Sequence, residues 1–240
     1  MAGRSPRARP SDRADGPPDA ALEVAVRVAR LVGRGGRAVL VGVDGRSGSG
    51  KTSLASEVAA VLEGRGVAVA LAEVEAFVPG WDGLADGVQR VAERLLAPVR
   101  DRGWAELAPW DWHAGRWSPP ARIPARGCAD VLLLVGCGST SAPCAPLLDV
   151  SVWLDLDEGE RRRRVTRREG DPGAWWRAWA RQEDLLLAER DSARLADVRI
   201  APTARRTASA SASAADEKAP VGHPVTGAQS DRPPRLSADG

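Results

Sequence analysis

Gly45-Arg46-Ser47-Gly48-Ser49-Gly50-Lys51-Thr52 matches the spacing G-x-x-x-x-G-K-[ST], the P-loop pattern in which glycines let backbone N–H groups turn toward a phosphate chain. Lys51 is one of two lysines among 34 lysines and arginines, the other being Lys218. A planar guanidinium cannot replace the compact ammonium needed beside the β- and γ-phosphates. The Thr52 hydroxyl suits a Mg²⁺ ion shared with those phosphates. Together these residues imply a nucleoside triphosphate site. Phosphoryl transfer also needs a base for the acceptor hydroxyl. Glu75 is the candidate, with a solvated strand-end acid as the alternative. Asp44 suits loop amides or a water-bridged metal. Asp155, after the fourth strand, is the acid placed to reach a metal, although most strand-end aspartates serve turns.

The elements that must position these groups follow from the apolar pattern. Residues 37–43 read as a buried strand, and Leu54, Val58, Val61 and Leu62 mark one face of a helix starting at Lys51. The loop thus sits between strand and helix, with the helix N-terminus aimed at the same phosphates. Asp19 is positioned to cap an earlier helix running to Val32. Further strands are expected at 67–72, 130–135, 150–154 and 197–200, with helices at 84–99, 158–168 and 173–195. Alternation of strand and helix predicts a five-stranded parallel sheet covered on both faces, with ligand at the carboxyl ends of the strands. The fold class read from these elements is α/β, a P-loop NTPase. Residues 103–127 carry four tryptophans and several prolines and form an insertion or flap within the domain, 19–202. Residues 1–18 and 203–240, rich in Arg, Pro, Gly, Ser and Ala, are expected to be disordered arms.

Bulk properties narrow the function. A net charge of +2 in 240 residues argues against nucleic acid as a partner. No apolar run is long enough for a membrane span, and the N-terminal stretch has no signal-like core. Three cysteines without C-x-x-C spacing suit reduced thiols and a cytoplasmic location. The chain has no asparagine, hence no N-K-x-D guanine-reading motif, and it has no tyrosine.

Three stretches carry a resemblance: 43–52, 75–84 (Glu75-Ala76-Phe77-Val78-Pro79-Gly80-Trp81-Asp82-Gly83-Leu84) and 110–116. With the later Trp176-x-x-Trp179-x-x-x-Glu183 spacing, they are similar to actinobacterial uridine-kinase-like P-loop proteins, relatives of uridine and phosphoribulose kinases. The likeness spans about residues 36–200. It implies a P-loop NTPase fold of nucleoside- or nucleotide-kinase type, ATP with Mg²⁺ as donor and a sugar hydroxyl of a small, nucleoside-like molecule as acceptor. Glu75 stands where the family carries its candidate base. Arg164 and Arg168, on one face of the helix after the fourth strand, stand where such kinases carry a phosphate-closing lid. Trp81 and Trp112 suit stacking on an acceptor, with Asp82 or Asp111 at its polar edge; Trp153 and Trp179 read as core. Two positions depart from the family pattern. Ala76 stands where a second acid is common, and Val135 where a glutamate precedes glycine. These departures support an alternative, a catalytically degenerate ATP-binding protein acting as a nucleotide sensor or interaction module.

Overall fold

The computed structural model describes residues 19–201; the arms expected at 1–18 and 203–240 lie outside the described residues. Helix α1 (Ala20–Ala29) precedes β1 (Val39–Asp44), α2 (Lys51–Glu63) and β2 (Val69–Glu73). A 3₁₀ turn (Val74–Phe77) leads to α3 (Leu84–Val91), which continues through one π-helical turn (Ala92–Leu96) into α4 (Ala97–Arg102). Pro98 explains the break in α-helical pattern, because it has no N–H to donate back and its ring crowds the preceding turn. Then come four short strands, β3 (Ala105–Leu107), β4 (Trp110–Asp111), β5 (Arg116–Trp117) and β6 (Ala121–Ile123). They pair antiparallel as β3–β6 and β4–β5, one hairpin nested in the other. β7 (Val131–Val135), β8 (Val150–Leu154), α5 (Glu158–Glu169), α6 (Gly173–Glu189), α7 (Ser192–Leu195) and β9 (Val198–Ile200) complete the domain.

The main sheet is fully parallel in the order β2-β7-β1-β8-β9. The α/β P-loop class and the five-stranded sheet are therefore as expected. Alternation along β7 divides the core. Val131, Leu133 and Val135 pack with α1 and α2, whereas Leu132 and Leu134 pack with α3, α6 and the insertion. Both faces are covered, so the run Val131-Leu132-Leu133-Leu134-Val135 is apolar throughout and buried throughout. Each such side chain contributes about 1.5–3 kcal/mol relative to exposure.

Three boundaries differ from the periodic reading. α1 stops at Ala29, and the Asp19 side chain makes no cap hydrogen bond. The second strand ends at Glu73, which leaves Glu75 in the 3₁₀ turn beyond it. The last helical stretch breaks at Arg190, where Arg190 Nε and Ser192 Oγ both donate to Thr140 O and Asp191 caps α7. Contacts distant in sequence set this break, so no local period could announce it.

α3 lies against the turn that carries Glu75. Alanine is favoured over glycine in a helix by about 0.8–1 kcal/mol. At Gly87, however, an added Cβ would stand 2.6 Å from Val78 Cγ2 and 2.9 Å from Val78 Cα. Gly87→Ala is expected to lower stability by about 1–3 kcal/mol in urea denaturation; a gain would show that this seam yields.

Candidate functional site

β1 ends in a carboxylate that organises the carboxyl edge of the sheet. Asp44 is 2% exposed, yet it accepts from Gly45 N at 2.7 Å, Gly138 N at 3.0 Å, and Thr140 N and Oγ1 at 2.9 and 2.7 Å. Burial raises its carboxyl, opposed by the bonds from Thr140 and Gly45 and by the Lys51 charge. Its oxygens are thus committed to the P-loop and to the loop after β7. Of the two roles read from the sequence, bonding loop amides is the one observed.

The loop itself is built for close approach. Gly48 has φ +82°, and a Cβ there would stand 2.5 Å from the Arg161 carbonyl oxygen. α5 consequently packs directly on the loop, and Arg161, itself buried, donates from Nη1 to Ser47 O at 3.2 Å and from Nε to Leu156 O at 3.1 Å. Gly50, at φ +100°, starts α2. Arg164 reaches the same place, its Nη1 3.5 Å from where a Gly50 Cβ would be, while Nε donates to Glu160 at 3.3 Å. Arg168 directs its charge at Glu73 instead. It lies near the far end of α5, exposed and paired with Glu169. Thr52 is exposed on the first turn of α2, free of the core.

Lys51 is buried, and its Nζ donates to Arg46 O at 3.3 Å and to Cys137 Sγ at 3.4 Å. Burial alone would lower its pKa; the sulfur of Cys137 and the acids Glu75, Glu183 and Asp44 outweigh that and leave it raised. Burial, with Glu183 and Glu75, pushes the Cys137 thiol well above its ordinary value despite Lys51. The thiol is therefore protonated, as its 3.1 Å donation to Glu183 Oε1 requires. Glu75 folds over the end of β7, where its Oε1 accepts from Cys137 N at 3.1 Å. The carboxylate lies where a side chain on Gly136 would project, so only glycine fits there. Lys51 and Glu75 thus meet through one residue, Cys137, at the mouth of the sheet. Glu73, the last residue of β2, is also raised, by desolvation and by Glu75, against Arg168 and Lys51.

Tryptophans gather beyond Glu75. Trp112 Nε1 donates to Glu75 O at 3.1 Å and packs partly on the core, so it steadies the turn carrying the acid. Trp81 is 41% exposed and has Trp112, Trp175 and Trp179 at ring-centroid distances of 5.2, 5.4 and 6.4 Å. Asp82 is exposed beside it. Asp111 instead serves its hairpin, where Oδ1 accepts from His113 N and Ala114 N at 3.0 and 2.9 Å. Those bonds hold its carboxyl below the usual range. Asp155 pairs with Arg199 at 2.5 Å and is half exposed. Trp153 and Trp179 are buried, as read from the sequence.

Glu183 and Gln182 had no assigned role. Glu183 is 5% exposed on α6, on the face that buries Trp176, Trp179 and Leu186. A carboxylate at i+7 from Trp176 on an apolar face is the signal that singles it out. Its Oε1 accepts from Ser47 N at 2.9 Å and Ser47 Oγ at 3.0 Å as well as from Cys137.

No protein-family profile and no curated protein matches the sequence. Among solved structures, the fold is similar to that of a possible uridine kinase from Bacillus stearothermophilus, 19% identical, covering 75% of this chain and 97% of that one with a TM-score of 0.57. It is also similar to a "putative fructose transport system kinase" from Silicibacter sp. TM1040, 20% identical, covering 76% of this chain and 97% of that one with a TM-score of 0.52. At such identities the likeness is one of fold, the α/β P-loop kinase-like fold.

The Asp44 network predicts a specific cost. Thr140→Val removes one hydrogen bond to a buried carboxylate while keeping shape, and should lower stability by about 1.5–3 kcal/mol in chemical denaturation. An unchanged midpoint would mean that Thr140 Oγ1 contributes nothing to holding the two loops together.

Proposed function

We propose that this chain, folded as a P-loop kinase-like domain, is an ATP-dependent small-molecule kinase that transfers the γ-phosphate to a sugar hydroxyl of a nucleoside-like, uridine-type acceptor. The observation that carries the reading is the convergence of Lys51 and Glu75 on Cys137 at the carboxyl edge of the sheet. Fold similarity supports the donor half, because the neighbours described above share the scaffold.

In this reading the P-loop amides other than those of Gly45 and Ser49, which Asp44 and the Arg46 carbonyl hold, join the Lys51 ammonium in holding the triphosphate, and Lys51 stays charged because acids surround it. Arg164, beside Gly50, neutralises charge building on the transferring phosphoryl group. Arg161 acts one step back, fixing the Ser47 carbonyl and hence the loop. Glu75 takes the proton of the acceptor hydroxyl. Its half-buried carboxylate, oriented by the Cys137 amide, has one oxygen free of that bond. Trp81, the exposed ring of the tryptophan group, offers the acceptor a flat apolar surface, with Asp82 at its edge. The exposed Thr52 hydroxyl fits a Mg²⁺ ion, which takes few protein ligands when phosphates and water supply the rest. When bound, that ion would neutralise phosphate charge. Asp155, held by Arg199, is the weaker donor.

The sensor alternative rests on Val135, which is fully buried and leaves the end of β7 without an acid of its own. Purified protein with labelled ATP, Mg²⁺ and a panel of nucleosides and sugars separates the two. Transfer to a sugar hydroxyl is expected, and Glu75→Gln should reduce it about 10²–10⁴-fold while nucleotide affinity holds. Tight ATP binding without transfer across the panel would replace the kinase by the sensor. Trp81→Ala should raise the KM for the acceptor about tenfold with kcat little changed; an unchanged KM would remove Trp81 from the acceptor surface.

A further inference from the structure

Three successive residues of α6 hold two different parts of the site. Gln182 clamps the turn on the acceptor side: its Nε2 donates to Trp81 O at 2.6 Å and its Oε1 accepts from Leu84 N at 3.0 Å. Glu183 accepts from the amide and hydroxyl of Ser47, inside the P-loop. Asp184 pairs with Arg46, whose Nη1 also stands 3.9 Å from Glu183 Oε2. A buried carboxylate thus occupies donors of the kind that a P-loop offers to phosphate: a loop N–H, a loop hydroxyl and the field of Lys51. Two anions cannot share them.

We infer that Glu183 is a positioning residue that latches α6 onto the P-loop, and that the phosphates of an incoming nucleotide displace it. The latch couples the two halves of the site, because releasing Glu183 also frees Gln182 and, through it, the Trp81 turn. The same helix brings Trp175 and Trp179 against Trp81, so its movement alters the acceptor surface directly. A small cavity lined by Arg46, Cys137, Gly138, Glu183, Leu186 and Leu187 lies between α6 and the P-loop. The inference rests on the nucleotide-binding half of the proposed function and does not require transfer.

A latch lowers apparent affinity by the fraction of molecules that are open. Removing the negative charge of Glu183 should therefore tighten nucleotide binding, whereas loss of a merely structural residue would weaken it or leave it unchanged. Titration calorimetry of the full chain with ATP and Mg²⁺, without acceptor, is expected to give Glu183→Gln a Kd roughly tenfold lower than wild type. Asp184→Asn, an exposed change that loosens only the Arg46 tether, should tighten binding about twofold to threefold, and decides the matter if Glu183→Gln does not fold. In hydrogen exchange, ATP should accelerate the amides of residues 182–189 in wild type and change them little in Glu183→Gln. Equal or weaker binding in the variants overturns the latch and leaves the kinase reading intact. Binding in none of the proteins overturns both. Tighter binding without transfer keeps the latch and removes the kinase.

Discussion

A single buried carboxylate sets the geometry on which the site depends. Taking Asp44 out of water costs several kcal/mol, and the offset comes from four hydrogen bonds, to Gly45, Gly138 and twice to Thr140. Those partners belong to the loops that leave the neighbouring strands β1 and β7. Thr140 in turn offers its carbonyl to Arg190 and Ser192, which ends α6 where it ends. The P-loop, the loop carrying Cys137 and the C-terminus of α6 are therefore held in register by one charge and the groups it recruits. An apolar residue at position 44 would leave three backbone N–H groups without this partner.

Around that anchor the site is arranged as an alternation of charge. Lys51 lies among Cys137, Glu75, Glu183 and Asp44, and the acids keep it protonated in spite of its burial. Cys137 mediates between them: its amide orients Glu75, its sulfur accepts from Lys51, and its thiol donates to Glu183. The arrangement also answers the missing acid at Val135. Carboxylates do reach the end of β7, but from the 3₁₀ turn after β2 and from α6 rather than from β7 itself.

The P-loop, the parallel sheet and the apolar character of β7 were legible from residue types and spacing alone. Lys51 and Thr52 lie where the motif puts them, and Trp153 and Trp179 are buried as read. Glu75 was found as an acid, although its place in a turn and its bond to Cys137 were not. Asp111 and Asp155 had the residue type for ligand contacts. In the structure a hairpin turn claims the first and Arg199 the second, since a short acid takes whatever local donor is near. Arg164 and Arg168 share a helical face, yet Arg164 reaches the loop at Gly50 whereas Arg168 pairs with Glu169 and sends its charge toward Glu73.

Sequence by itself determined the elements and the phosphate loop, because apolar period, glycine freedom and a motif of eight contiguous residues are local properties. Tertiary structure decided which acids face Lys51, where α6 stops and what Glu183 touches. Those outcomes rest on pairs such as Ser47–Glu183 and Asp44–Thr140, 136 and 96 positions apart. Only packing of α6 and the β7 loop against β1 brings such pairs within a hydrogen bond.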